Sequence, residues 1–231
     1  MEKENNYTEE KLQEKKDFHA LWIYFVGIIV LPIIITIAMT MFIIIINRTN
    51  ELENIANLSN IISLILSFII SGIFLIMYLK KIKKDIKRIT KKQVIFTIIV
   101  SIVAVCLNEI ICQIFQTLSI NMSNQNQVID LISNYRIPMI LLCTIFMPFT
   151  EEIVFRYSLG SLIKNKVVFV IVSSILFGIM HGIELATLLY IFLGAVYAII
   201  YIKTDKNIIA SSIAHGINNI VGIILMLFFV V

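Results

Sequence analysis

The chain has 231 residues, of which 59% are hydrophobic and 15% charged, with a formal net charge of +4. A soluble domain is usually about half apolar and a quarter charged, so this balance points away from a large aqueous globule and toward an all-α, polytopic membrane helix bundle. The three cysteines, Cys106, Cys112 and Cys143, are an odd set in apolar segments with no CxxC pair, which argues against a disulfide framework and reads as small buried thiols.

Residues 1–20 are polar and mixed in charge and read as a cytosolic tail, with His19 a solvated side chain. The next run, Leu21–Ile46, is too long for the core of a cleavable signal peptide and reads as a retained anchor. Spans of about 20 apolar residues continue at Ile61–Leu79, Val94–Ile120, Ile137–Ile163, Val167–Gly182, Leu185–Ile202 and Ile208–Val231, about seven in all. The fifth is short, and the turn after it is tight. Residues 21–136 form three N-terminal spans with a basic loop at 80–92, and residues 137–231 form a core of four spans. The first three read as plain anchors, and no internal repeat is visible.

The loop KKIKKDIKRITKK carries eight basic residues and one acid. Basic flanks stay in the cytoplasm, and threading seven spans with this loop inside puts the N-terminus inside as well. Sixteen of the 19 basic residues then lie in the tail or inner loops, Arg48 and Arg136 lie outside, and Arg156 lies in a span. Contact of the basic loop with anionic lipid headgroups is the ordinary expectation. Nucleic-acid binding is not expected, because the stretch is short and has no interleaved aromatics. Asn-x-Ser/Thr triplets at Asn47, Asn57 and Asn121 fall on outer loops and matter only in a glycosylating host. The Ile, Lys and Asn bias fits an AT-rich bacterial genome, and so a bacterial cell membrane.

Ionisable groups within lipid are costly and read as functional sites with named partners. The fourth span holds Glu151-Glu152-Ile-Val-Phe-Arg156. Residues four apart share a helix face, so Glu152 and Arg156 pair, leaving Glu151, rotated about 100° away, free for chemistry. The fifth span holds Phe177 one turn before His181, where the ring walls the imidazole. The seventh holds His215 and Asn219, again four apart and on one side, whereas Asn218 points elsewhere as helix–helix glue. Counted from the basic flanks, Glu151, His181, His215 and Asn219 lie about 20, 22, 14 and 20 Å along their helices, within one band of depth. Such a set suits water activation. Glu151 serves as general base, a histidine orients the water, and His215 with Asn219 donates to an oxyanion. Alternatively Glu151, His181 and His215 bind a divalent metal such as zinc, although the HExxH spacing is absent. Both routes end in amide hydrolysis.

The three sets resemble the CPBP family, the CAAX-protease and bacteriocin-processing membrane endopeptidases also called Abi. That family shows EExxxR, FxxxH and HxxxN in this order, here Glu151-Glu152…Arg156, Phe177…His181 and His215…Asn219. The neighbouring text FRYSLGSLIKN, SSILFGIMHG and IIASSIAHGINN resembles it too, over about Ile137–Gly222. The resemblance implies an intramembrane endopeptidase related to the type II CAAX prenyl proteases. In it Glu151 and His181 activate water, His215 and Asn219 hold the oxyanion, and Glu152 and Arg156 support the site. Relatives are described both as metal-dependent and as metal-free glutamate proteases. Tyr157 departs from the small residue common after the arginine, and its bulk is expected to narrow the cavity. The expected substrate is a membrane-associated peptide, leader or protein, cut near the cytoplasmic half of the bilayer. Two other classes stay open: a small transporter or proton pathway, and a non-catalytic immunity or scaffold protein.

Overall fold

The computed structural model describes residues 2–46 and 52–229. Asn47 and Arg48 lie outside the described residues. Every regular element among the described residues is helical, with no strand. Helix α1 (Glu2–Phe25) runs through a π-helical turn at Val26–Val30 into α2 (Leu31–Ile45). Then come α3 (Leu52–Met77), α4 (Leu79–Arg88), α5 (Lys91–Thr117), α6 (Ser123–Asn134) and α7 (Arg136–Leu141). Helices α8 (Met147–Glu152) and α9 (Leu159–Leu162) follow, with π-helical turns at Leu142–Phe146 and Ile153–Ser158 joining α7 to α8 and α8 to α9. The chain closes with α10 (Lys166–Ile179), α11 (Thr187–Lys203) and α12 (Ile208–Phe229).

Among the described residues five segments are long and apolar enough to cross a bilayer: Lys15–Phe42, Asn57–Met77, Lys91–Thr117, Arg136–Leu162 and Ile208–Phe228. The two others expected from the sequence are the shorter apolar helices α10 and α11. At 14 and 17 residues they measure roughly 21 and 25 Å, less than the roughly 30 Å hydrocarbon core. They compensate by packing closely on each other. A Cβ at Gly194 of α11 would sit 3.1 Å from the Ser174 Cα of α10, a small-residue approach of the kind that joins helices in lipid. Exposed Ile, Leu and Phe side chains cover the outside of the bundle, as lipid contact requires.

The basic segments gather at one end. The Tyr78 hydroxyl donates to Asp17 at 3.0 Å and lies 3.3 Å from Ser158 Oγ, and Lys16 donates to the Met77 carbonyl at 2.7 Å. Around Lys16 and Asp17 the polar segment is therefore helical and docked on the end of α3 and on Ser158. Asp85 is fully buried, pairs with Lys81 at 2.6 Å and accepts the Ile208 N–H at 2.9 Å. It caps the start of α12 from a different helix. Burial pushes the Lys81 ammonium below its usual pKa, and the bond to Asp85 opposes that shift. The turn before α12 places Asp205 and Lys206 at φ of 57° and 56°, a costly backbone for side-chain-bearing residues. Arg88 and Lys81 hold it by donating to the carbonyls of Asp205 and Lys206 at 2.7 and 3.1 Å. Two of the basic residues expected to face lipid thus have a structural task. Lys80, Lys83, Lys84 and Lys87 stay exposed.

Other expectations from the sequence change. Helix α6 was not anticipated, because its polar text reads as a loop. Asn57 lies within α3 rather than in a loop, whereas Asn121 lies in the turn before α6. Cys106 is exposed rather than buried; all three cysteines are free.

Candidate active site

The two glutamates sit between the two π-helical turns of the fourth span, and these turns are what open the helix to its neighbours. A π-turn shifts one amide partner by a residue and is often found at functional sites. At the first, Met147 N–H bonds Leu142 O instead of Cys143 O. Asn219 Nδ2 of α12 donates to the released Cys143 carbonyl at 2.8 Å. Pro148 supplies no N–H to Thr144 O, and α12 approaches that carbonyl through Gly216, where an added Cβ would lie 3.2 Å away. At the second, Leu159 N–H bonds Arg156 O and Val154 O, passing over Phe155 O. Ser173 of α10 donates to that carbonyl at 2.9 Å and accepts from Arg156 Nη1 at 2.9 Å. Both released carbonyls are thereby satisfied, as buried backbone requires.

Glu152 and Arg156 pair as the spacing predicts, with Nε to Oε2 at 3.2 Å and both side chains fully buried. The guanidinium also lies over the rings of Phe177 and Tyr197, at 5.0 and 5.8 Å. The other oxygen of Glu152 accepts from His215 Nδ1 at 3.2 Å, and the His215 ring stacks on Tyr197 at 4.8 Å. With Nδ1–H held there, Nε2 is the edge turned to Glu151, 3.8 Å from its Oε2. Glu151 Oε1 accepts from the Tyr24 hydroxyl at 3.3 Å.

His181 lies in the turn two residues past the end of α10 rather than inside the helix. Its Nδ1 is 2.8 Å from the Phe177 carbonyl. A carbonyl only accepts, so Nδ1 carries the proton and caps an orphan carbonyl of the helix end. Nε2 remains for another partner. Phe177 and Tyr190 flank the ring at 4.7 and 4.4 Å, and Phe177 also contacts His215 edge-on at 5.4 Å.

Glu151, His181, His215 and Asn219 all line one cavity of about 280 Å³. Asn218 lines it too and lies 3.4 Å from Asn219 Oδ1, so it does not point elsewhere. Tyr157 does not reach the cavity. It packs edge-on against Tyr78 at 5.6 Å with Lys81 above its ring, at the basic end. The cavity extends from Glu151 toward Met122, Gln125, Ala186 and Tyr190, away from the basic segments.

Three contributions were not read from the sequence. Tyr24 comes from a span taken as a plain anchor, Asn108 and Glu109 on α5 line the cavity, and Ser173 anchors Arg156. The only prior signal for Asn108 and Glu109 was their polarity inside an apolar run. Among the described residues no three His, Cys, Asp or Glu side chains are gathered closely enough to hold a metal ion. Glu151, His181 and His215 do not fit a chelating set as arranged.

A membrane helix bundle with a buried carboxylate–imidazole cluster facing a cavity is the class this fold and site define. Residues 133–221 match the family described as Rce1-like, type II CAAX prenyl endopeptidase, consistent with the CPBP resemblance of the motifs. An uncharacterized protein of Mycoplasma capricolum is 29% identical over 96 residues, 40% of this chain and 29% of the relative. The UPF0177 protein YxdF of Lactococcus lactis is 39% identical over 80 residues, 34% of this chain and 44% of the relative. The matched segments span less than half of either relative. No solved structure matches.

Proposed function

We propose that this protein is an intramembrane endopeptidase that hydrolyses a peptide bond in a membrane-associated peptide or protein, in a bacterial cell membrane. The observation that carries this reading is the shared cavity. Four polar groups from three separate segments line one cavity, with Glu151 and His215 within 4 Å of each other. The Rce1-like match over the same segment and the two bacterial relatives support it.

In this mechanism Glu151 takes a proton from water while Nε2 of His181 accepts a hydrogen bond from the same water. The hydroxide adds to the scissile carbonyl carbon. His215 Nε2–H and the second N–H of Asn219 donate to the oxyanion, and Glu151 then passes its proton to the departing amine nitrogen as the C–N bond breaks. Donation from both His215 nitrogens, to Glu152 and to the oxyanion, requires a proton on each, and the carboxylates of Glu151 and Glu152 lie beside that ring. Glu152 holds His215 in orientation rather than touching substrate. Preorganised donors of this kind are worth about 10²–10³ in rate each.

The test is mass spectrometry of membrane peptides from cells carrying wild-type protein or Glu151→Gln. A peptide trimmed only by wild type supports the reading. Identical peptide profiles, with both proteins inserted at equal levels, contradict it.

A further inference from the structure

The principal cavity continues into a second one of about 260 Å³. The two share Glu109, Cys112, Met122, Gln125, Gly222 and Met226, so they are parts of one groove between α5, α6 and α12. Its chemistry is unusual for a bundle in lipid. The lining includes the primary amides of Asn108, Gln113, Gln116, Gln125, Asn126 and Asn218. Each amide can both donate and accept, as an extended peptide backbone does, and within a bilayer such backbone groups must find partners. Asn108 Oδ1 and Asn218 Oδ1 are buried acceptors with no protein partner. The groove contains Glu109 at the junction of its two parts, half-buried, and no Lys or Arg. Among the described residues no cation is paired with Glu109. With Glu151 further in, the field along the groove favours positive charge.

We propose that this groove binds an extended polypeptide segment and that Glu109 selects a lysine or arginine side chain in it. The segment enters from the end away from the basic α4, passes Gln113 and Gln116, and reaches Glu151 with its backbone held by the amides. This deepens the endopeptidase reading and rests on it for the fate of the peptide, but not for its binding.

The test uses full-length protein in lipid nanodiscs, carrying Glu151→Gln so that binding is read without turnover. Fluorescent peptides identical except for one residue, Lys or Glu, are scanned through successive positions. At one position the Lys peptide is expected to bind about fivefold tighter than its Glu counterpart, the size of one partly screened charge pair. Glu109→Lys is expected to invert that preference. A preference that survives Glu109→Lys unchanged overturns the proposal, as does the absence of any preference at every position. Gly222→Leu provides a second arm. A Cβ at Gly222 meets nothing within 4 Å, so the variant is expected to fold and to block the groove, weakening peptide binding at least tenfold; unaltered binding overturns the groove. Selective binding without cleavage by the wild-type residue at 151 counts against the peptidase reading and leaves the groove standing.

Discussion

The adjacent glutamates are predicted to fail in different ways. Glu152 is fully buried and holds Arg156 and His215 at 3.2 Å each. Glu152→Gln removes the charge that offsets a guanidinium with no solvent exposure. Breaking a buried pair by neutralising one partner costs about 3–5 kcal/mol. Glu151 accepts a 3.3 Å bond from Tyr24, which the amide oxygen of glutamine can still accept, and its contact with His215 is long at 3.8 Å while Glu152 still holds that ring at 3.2 Å, so Glu151→Gln costs about 1 kcal/mol or less. For a chain of this size each kcal/mol moves Tm by roughly 2–4 °C. Thermal unfolding in detergent, followed by tryptophan fluorescence or by thiol reactivity of the buried Cys112, should therefore fall on the order of 10 °C for Glu152→Gln and by about 4 °C or less for Glu151→Gln. Both variants should lose cleavage. The double variant Glu152→Gln/Arg156→Met removes the stranded cation and should recover at least half of the lost Tm without recovering activity. Equal Tm losses for the two single variants, or no recovery in the double, would refute the division of roles between them.

Tyr24→Phe should lower kcat severalfold with little change in Tm, because it deletes one long hydrogen bond to Glu151 and leaves the ring packing against Phe74 and Phe155; steady-state kinetics on purified protein checks this. Asp85→Ala should destabilise by about 2–4 kcal/mol, since it removes the Lys81 partner and the cap on Ile208 N–H together, and denaturant melts should show it. Dialysis against a metal chelator should leave cleavage within about twofold, since Glu151, His181 and His215 are not gathered as a ligand set; complete loss restored by zinc would contradict this mechanism. Neutralising Lys80, Lys83, Lys84 and Lys87, which are exposed on α4, should weaken association of an isolated α4 peptide with anionic vesicles, measured by tryptophan-tagged partitioning.

The sequence made the spans and the motif residues legible because both depend on local rules. A run of about 20 apolar residues declares a span whatever packs beside it, and a four-residue spacing declares a shared face, as for Glu152 with Arg156. Tertiary partners were not declared. Nothing local to Tyr24 distinguishes it from an interfacial tyrosine; only the fold brings it to Glu151 across 127 residues. The π-turns were equally hidden, since they arise where Asn219 and Ser173 can take over released carbonyls from other helices. Helix α6 begins with a polar turn, and only its second half, Val128, Ile129, Leu131 and Ile132, packs into a core cluster, too short an apolar stretch to declare itself beside the long spans. Tyr157 misled for a related reason. Its position after Arg156 suggested the cavity, but the π-turn carries it around to the basic end beside Tyr78.

The central claim is that Glu151 delivers water to a peptide bond inside the bundle. The most direct measurement is cleavage of a peptide, chosen from those trimmed in cells, by reconstituted wild type and Glu151→Gln in ¹⁸O-labelled water. Wild type is predicted to release a fragment with one ¹⁸O in its new carboxyl group, and Glu151→Gln to release none. Undiminished release of labelled fragment by Glu151→Gln would contradict the account.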